Sequence, residues 1–249
     1  MTENGAFHYH AARSADLVGI DACVIAHPSI NEYINAPKTP FSNERQSVEL
    51  AFMPDHRVSV FKVHADRSTE LGFRQINTAV SKILTNTVSN IIDEQLRGTN
   101  AMQGQQTLLD LYCGHGAWTR HIAQRHPSLS ILGIDNSEQN IRTARSEAAN
   151  LNNANFLVSR AETALKKSTT HHDFVIVDPP RAGLSTAVVE ALTEFKTPTL
   201  LYISCHPATL ARDLAALTEG GYTVDFVQPF DMFPQTPHVE SLAILRSAV

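Results

Sequence analysis

From Leu108 onward, short apolar runs alternate with stretches of helical periodicity, and this alternation constrains the fold more than any other feature of the chain. TLLDLYC (107–113) is followed by the helical WTRHIAQRH, and LSILGID (129–135) by a helix over Ser137–Asn150 with Asn136 as its cap. ANFLVSR (154–160) and FVIVDPP (174–180) read as further strands. The pattern then repeats as TAVVEALTEF, TLLYISC and PATLARDLAALTEGG, a helix, a strand and a helix closed by glycines. Runs this continuously apolar have no solvated face, which predicts parallel strands covered by helices on both sides. The last two runs, YTVDFVQPFD and ESLAILRS, have no helix between them. The sheet therefore ends antiparallel, because a parallel pair needs a crossover.

Upstream the texture differs. Ile76, Val80, Ile83, Leu84, Val88, Ile91 and Ile92 recur at helical spacing, predicting a helix over 76–96. Before it, VGIDACVIA (18–26) reads as a strand and 27–44 as a turn-rich stretch. VELAFM (48–53) and VSVFKV (58–63), separated by PDH and its neighbours, read as a β-hairpin. The expected organisation is a small β-rich module over 1–72 and a large α/β domain over 73–249.

The net charge of −5, from 20 Lys and Arg against 25 Asp and Glu, argues against coating nucleic acid by bulk charge. A local basic groove is compatible with it. No apolar run approaches the ~18 residues of a membrane span, and the N-terminus lacks the basic start and apolar stretch of a secretory signal. A cytoplasmic protein without membrane attachment is expected. The three cysteines, Cys23, Cys113 and Cys205, are too few and too dispersed for a disulfide framework, a zinc site or an iron–sulfur cluster. No metal is expected.

The motifs fall at strand ends. Gly114 and Gly116 follow the first strand of the alternating region, where glycine permits a tight turn and close approach of a ligand to the backbone. Asp135 ends the next strand, where a carboxylate can accept hydrogen bonds from both ribose hydroxyls of an adenosine cofactor. Nicotinamide and S-adenosylmethionine (AdoMet) sites share this layout. A pyrophosphate loop favours a third glycine, and Thr119 stands there instead. Asp110, just before the loop, suits a positively charged donor. The balance favours AdoMet.

The other strand ends carry reactive groups. Asp178 closes VIVDPPRAGL at the edge where open parallel sheets bind ligands, and the following prolines stiffen the chain. Cys205 closes LLYISCHPAT ahead of a helix, whose N-terminus can lower a thiol pKa. By position alone Cys205 is equally a nucleophile or a packing residue. Glu240 begins the last apolar strand, and the antiparallel return brings it to the same edge. A thiol and a carboxylate suffice to methylate a pyrimidine at C5. The thiolate adds to C6, and the base removes the C5 proton.

FRQIN (73–77), LLDLYCGHG (108–116), VDPPRAGL (177–184), YISCHPATLARD (202–213) and DMFPQTPHVES (231–241) together resemble the RNA 5-methyluridine methyltransferases, in order over the last 180 or so residues. The resemblance implies a Rossmann-like AdoMet-dependent methyltransferase fold with a mostly parallel seven-stranded sheet and an antiparallel ending. It implies methylation of uridine C5 in transfer or ribosomal RNA, with Cys205 as nucleophile and Glu240 as base. It implies AdoMet contacts from Gln75, Tyr112, Asp135 and Asp178 beside the Gly114–Gly116 loop, and Arg181 near the catalytic pocket. Two positions depart from the family pattern. Ala117 stands where an Asn often contacts the donor, and His206 replaces an Asn beside the nucleophile at the substrate side. Family members usually carry a larger RNA-binding portion, some with a four-cysteine iron–sulfur site. RNA recognition here is expected to be minimal, to fall on a smaller RNA element, or to come from a partner protein. A cytosine-C5 enzyme would need a second cysteine after the Asp-Pro strand, which DPPRAGL lacks. The remaining alternative is a non-catalytic RNA-binding or chaperone protein on the same fold.

Overall fold

The computed structural model describes residues 2–3, 6–10, 16–23, 26–37, 47–52, 57–62, 77–98 and 105–247. The chain divides into two compact units, one formed by Met1–Ile76 with Pro234–Thr236, the other by Asn77–Phe233 with Pro237–Val249.

In the first unit, β1 (Thr2–Glu3), β2 (Ala6–His10) and β3 (Leu17–Gly19) form an antiparallel sheet. Helix α1 (Pro28–Asn35) follows, then the antiparallel pair β4 (Val48–Phe52) and β5 (Val58–Lys62). The hairpin reading holds for the strands, while its turn lies outside the described residues. The strand expected over 18–26 stops at Gly19. Beyond it, side-chain amides of α1 take the backbone groups that a strand would pair: Asn31 binds both N–H and C=O of Cys23, and Asn35 donates to Asp21 O. The stretch read as turn-rich contains α1 itself. Pro28 occupies its first turn, and the His27 ring caps it by accepting from Ser29 N–H. Phe7, Tyr33 and Ile34 make the small core.

The second unit opens with α2 (Thr78–Gly98). The alternating region then runs β6 (Thr107–Leu111), α3 (Ala117–Arg125), β7 (Ser130–Asp135), α4 (Glu138–Glu147), β8 (Ala154–Val158), α5 (Ala161–Lys167), β9 (Phe174–Val177), α6 (Thr186–Phe195), β10 (Thr199–Ser204), α7 (Pro207–Glu219), β11 (Tyr222–Phe230) and β12 (Glu240–Ser247). The seven strands are ordered β11-β12-β10-β9-β6-β7-β8, with β12 antiparallel to both neighbours and the rest parallel. This is the Rossmann-like methyltransferase architecture with an antiparallel end, and the first unit is a small N-terminal β module.

Period-two alternation divides the central strands between two cores. Leu108, Phe174, Ile176, Leu201, Ile203, Leu242 and Ile244 pack on the face that also buries Val88 and Ile92 of α2 and Ile122 of α3. Leu109, Val175, Val177, Leu200, Tyr202, Ala243 and Leu245 face the opposite way, against Leu165, Val188, Leu192 and Leu210 of α5, α6 and α7. Each fully buried aliphatic side chain contributes roughly 1.5–3 kcal/mol, so both faces hold the sheet against its helices.

Two boundaries differ from the sequence reading. The cap of α4 is Ser137, whose Oγ accepts from Asn140 N–H at 3.2 Å, rather than Asn136, and the helix ends at Glu147 rather than running to Asn150. Helix α5 is not expected from the sequence: seven residues give too short a window for periodicity, although Ala161 and Leu165 show the i, i+4 spacing of its buried face.

Candidate active site

Cross-strand register brings the reactive residues to one edge. Leu111 pairs with both Ile134 and Val177, Tyr202 with Val177, and Ser204 with Ser241. The residues that follow the parallel strands, Tyr112, Asp178 and Cys205, thus share the carboxyl edge with Asp135 at the end of β7, and Glu240 enters there at the start of antiparallel β12. Strand β6 lies between β7 and β9, so the connections leave it in opposite directions, the arrangement that opens a crevice at the strand ends.

The loop after β6 is built from left-handed residues: Tyr112 (φ 64°), Gly114 (φ 55°) and Gly116 (φ 80°). The two glycines differ in use. A Cβ on Gly114 would meet nothing within 4 Å, whereas one on Gly116 would lie 2.7 Å from the Phe156 ring. Gly114 leaves open space beside the backbone, and Gly116 lets α3 start against β8. A left-handed Tyr is strained, and such strain persists where the surroundings over-determine it. Tyr112 lines an open cleft together with Asp135, Asn136, Ser159, Glu162 and Ser185. Sequence reasoning missed Asn136, Ser159, Glu162 and Ser185. The signal was their place at the ends of β7 and β8 and after the Asp178 loop, on the ligand-binding edge.

Asp135 is tightly engaged. Its Oδ2 accepts from Gly114 N–H at 3.0 Å, and its Oδ1 from Ser137 N–H at 2.8 Å and Asn140 Nδ2 at 3.1 Å. It therefore fixes the glycine loop to the start of α4. Asp110 lies fully buried beneath the loop, where Oδ2 accepts from Thr119 N–H at 3.0 Å and Thr119 Oγ1 at 2.6 Å. Its Oδ1 has no hydrogen-bond partner among the described residues. Burial raises the Asp110 pKa to about 7, against the Thr119 hydroxyl bond, and the negative charges of Asp178 and Asp135 add to the rise.

Cys205, Glu240, Asp178 and Arg181 form the second half of the site. Glu240 is buried, and burial with the nearby Asp178 charge pushes its carboxyl up to about 7. Asp178 is pushed up to about 6 by burial, opposed by the indole N–H of Trp118, which donates to Oδ2 at 3.0 Å. Cys205 is half-buried. Its thiol is raised, not lowered as its place before a helix suggested: burial and then Glu240 push it up, Arg181 pulls it down, and Asp178 adds to the rise. The cap of α7 is His206, and Pro207, which has no N–H, starts the helix. The His206 ring accepts from Thr209 N–H at 3.3 Å. Arg181 donates through one guanidinium nitrogen to His238 Nδ1 at 2.9 Å. Cys113 is buried, and desolvation pushes its thiol far up, which leaves it a packing residue of the loop. Gln75 lies outside the described residues.

Among the described residues no group of three or more His, Cys, Asp or Glu is arranged to hold a metal ion. None of the described helices is long and apolar enough to cross a membrane.

Residues 50–248 match the family model described as tRNA (Uracil-5-)-methyltransferase. An uncharacterized RNA methyltransferase of Thermosynechococcus vestitus is 40% identical over 179 residues, which cover 71% of this chain and 38% of that protein. One of Gloeobacter violaceus is 34% identical over 236 residues, covering 94% of this chain and 47% of that protein. The chain thus spans less than half the length of these relatives. Among solved structures, the Pyrococcus abyssi tRNA (uracil-54, C5)-methyltransferase in complex with S-adenosyl-L-homocysteine is 35% identical, with a TM-score of 0.57 over 70% of this chain and 40% of that one. The magnesium protoporphyrin IX methyltransferase of Synechocystis, at 16% identity and a TM-score of 0.51, shares the fold.

Proposed function

The chain belongs to the tRNA (uracil-5-)-methyltransferase family, and from that premise we propose that it transfers a methyl group from AdoMet to C5 of a uridine in structured RNA, through a transient bond between Cys205 and C6. The observation that carries this reading is the gathering of a thiol and a buried carboxyl group of near-neutral pKa, Cys205 and Glu240, with Asp178 and Arg181 at one sheet edge.

The residues present fit a cationic donor. Asp110, Asp178 and Glu240 are crowded carboxyl groups that burial makes reluctant to ionise, and Asp110 keeps one oxygen unpartnered. A positive charge nearby relieves both conditions. In this reading Tyr112, Gly114, Gly116, Asp135 and Asp178 hold the donor, Asp135 toward its ribose, and Gln75 supplies a further contact. When bound, AdoMet supplies a methyl group on a sulfonium, the electrophile that C5 attacks while the carbon–sulfur bond breaks.

Cys205 must ionise first, and the Arg181 charge favours its thiolate. The thiolate adds to C6, and the C5=C6 electron pair moves into the C4 carbonyl to give an enolate. That enolate makes C5 nucleophilic. After methyl transfer C5 carries both a methyl group and its proton. Glu240, as carboxylate, takes the proton. The released electron pair restores C5=C6 and expels Cys205 as thiolate. Arg181 and His206 flank the nucleophile as contacts for the uridine, which must leave its stack to reach the edge.

Incubation with methyl-labelled AdoMet and unmodified transfer RNA, followed by ribosomal RNA, tests the reading; the likeness to a uracil-54 enzyme makes transfer RNA the first choice. Label is expected at uridine C5 and is expected to vanish in Cys205→Ala. Full C5 methylation by Cys205→Ala would contradict the mechanism, and failure to bind AdoMet would favour a non-catalytic RNA-binding role.

A further inference from the structure

Asp213 lies on α7, two turns beyond Cys205, and is 2% exposed. Its Oδ2 accepts from the Tyr202 hydroxyl at 2.6 Å and from Leu184 N–H at 2.7 Å, and its Oδ1 from Arg212 Nε at 2.8 Å. Arg212 in turn donates through one guanidinium nitrogen to Ala182 O at 2.9 Å and Leu184 O at 3.3 Å. Thr209 Oγ1 shares its one proton between Arg181 O at 3.2 Å and His206 O at 3.0 Å. The segment that carries Arg181 is thus tied to α7 through three carbonyls and one N–H. Tyr202 extends the tie to β10, the strand that ends just before Cys205. Gly183 completes the fit: its φ is +75°, and a Cβ there would run into Asp213 Oδ2 and the Arg212 guanidinium.

We propose that Asp213, Arg212 and Thr209 form a clamp that positions Arg181 relative to Cys205, a role that rests on Cys205 being the nucleophile. None of the three reaches the reacting atoms. Their effect passes through the fixed backbone of 181–184 to the one cation that favours the thiolate. Charged groups face Cys205 from two elements besides its own: Glu240 from β12, and Asp178 and Arg181 from the segment after β9. Two of these three are carboxyl groups that oppose ionisation. Letting Arg181 drift therefore leaves the Glu240 and Asp178 charges, which both raise the thiol, opposed by its backbone hydrogen bond alone. A buried carboxylate with hydrogen bonds on both oxygens, paired to a half-exposed arginine, holds a fixed geometry, which suits such a role.

The test reads the thiol directly. Alkylation of Cys205 by iodoacetamide is followed by peptide mass spectrometry from pH 6 to 10 in the full chain. Arg181→Ala is expected to lower the alkylation rate roughly tenfold across this range, where the rate follows the thiolate fraction. Asp213→Asn, Arg212→Ala and Thr209→Val are expected to move it the same way, Thr209→Ser to restore it, and adding any of them to Arg181→Ala to give no further shift. The clamp is overturned if these variants keep the parent profile while losing only thermal stability, or if their shifts add to that of Arg181→Ala. Should Asp213→Asn fail to fold, the Arg212 and Thr209 variants decide between these outcomes, since Arg212 is exposed and Thr209 partly so. Alkylation is independent of methyl transfer. A Cys205→Ala protein that still methylates uridine would defeat the proposed function, whereas parent-like alkylation profiles would defeat the clamp alone.

Discussion

Asp135 and Glu240 stand at the same edge of one sheet, yet their carboxyl groups live differently. Asp135 accepts hydrogen bonds from Gly114, Ser137 and Asn140 and thereby shapes the glycine loop. Glu240 is 4% exposed, and burial together with the Asp178 charge pushes its carboxyl up to about 7. Asp178 lies between the extremes, with one oxygen held by Trp118. The Asp135 end of the edge is organised by hydrogen bonds within the chain. The Glu240 end keeps its carboxyl groups buried, which is how a fold brings a carboxylic acid toward neutral pKa. In the proposed mechanism the same chemical group is an anchor in one place and a base a few strands away.

That contrast can be tested from both sides. Gly116→Ala adds a side chain against Phe156 at a left-handed backbone position and is expected to cost about 3 kcal/mol in chemical unfolding. Gly114→Ala, facing open space, should cost about 1 kcal/mol and chiefly weaken AdoMet binding in a titration. Equal losses of stability would show that the two glycines do not differ in use.

Asp110 carries the next effect. Its pKa is about 7 in the folded chain and ordinary when unfolded. The folded state therefore holds this proton more tightly, and the resulting stability is complete below the unfolded value. It is lost as pH rises through about 7, by roughly 2–3 kcal/mol between pH 5 and pH 8. Unfolding titrations of Asp110→Asn should show that part of the pH dependence gone. An unchanged slope would mean that Asp110 is not the group responsible.

Asp135→Ala removes three hydrogen bonds at once. About 2 kcal/mol of stability should go with them, together with AdoMet affinity. Trp118→Phe is the mildest change. It takes the donor from Asp178 while keeping an aromatic ring in the core, so a loss of about 1 kcal/mol is expected. The acid limb of the methylation rate should then move to higher pH, because Asp178 would hold its proton longer. An acid limb that stays in place would separate Asp178 from catalysis.

The α/β half of this architecture was legible because its pattern is redundant. Seven apolar runs each point to the same layered sheet, and Glu240 reaches the site edge merely because no crossover helix precedes β12. The placement of the candidate site residues at the strand ends was legible for the same reason. Local side-chain chemistry was not. The helix α1 is held by His27, Asn31 and Asn35, polar residues whose composition looks like a loop until their backbone partners are known. The Cys205 thiol was expected to be lowered by a helix N-terminus. It is raised instead, by burial first and then by Glu240 against Arg181, groups distant in sequence on either side. Thr209, Arg212 and Asp213 stand together in YISCHPATLARD, but only the fold shows that these three polar residues meet the DPPRAGL segment.

The central claim is that Glu240 resolves a bond made by Cys205, and it can be put to a trap. Glu240→Gln is mixed with transfer RNA and methyl-labelled AdoMet, then run on a denaturing gel. The account predicts a labelled protein–RNA band that survives denaturation, accumulates in place of turnover, and disappears when Cys205→Ala is added. Turnover by Glu240→Gln at the parent rate with no such band, or a band that persists without Cys205, would contradict it.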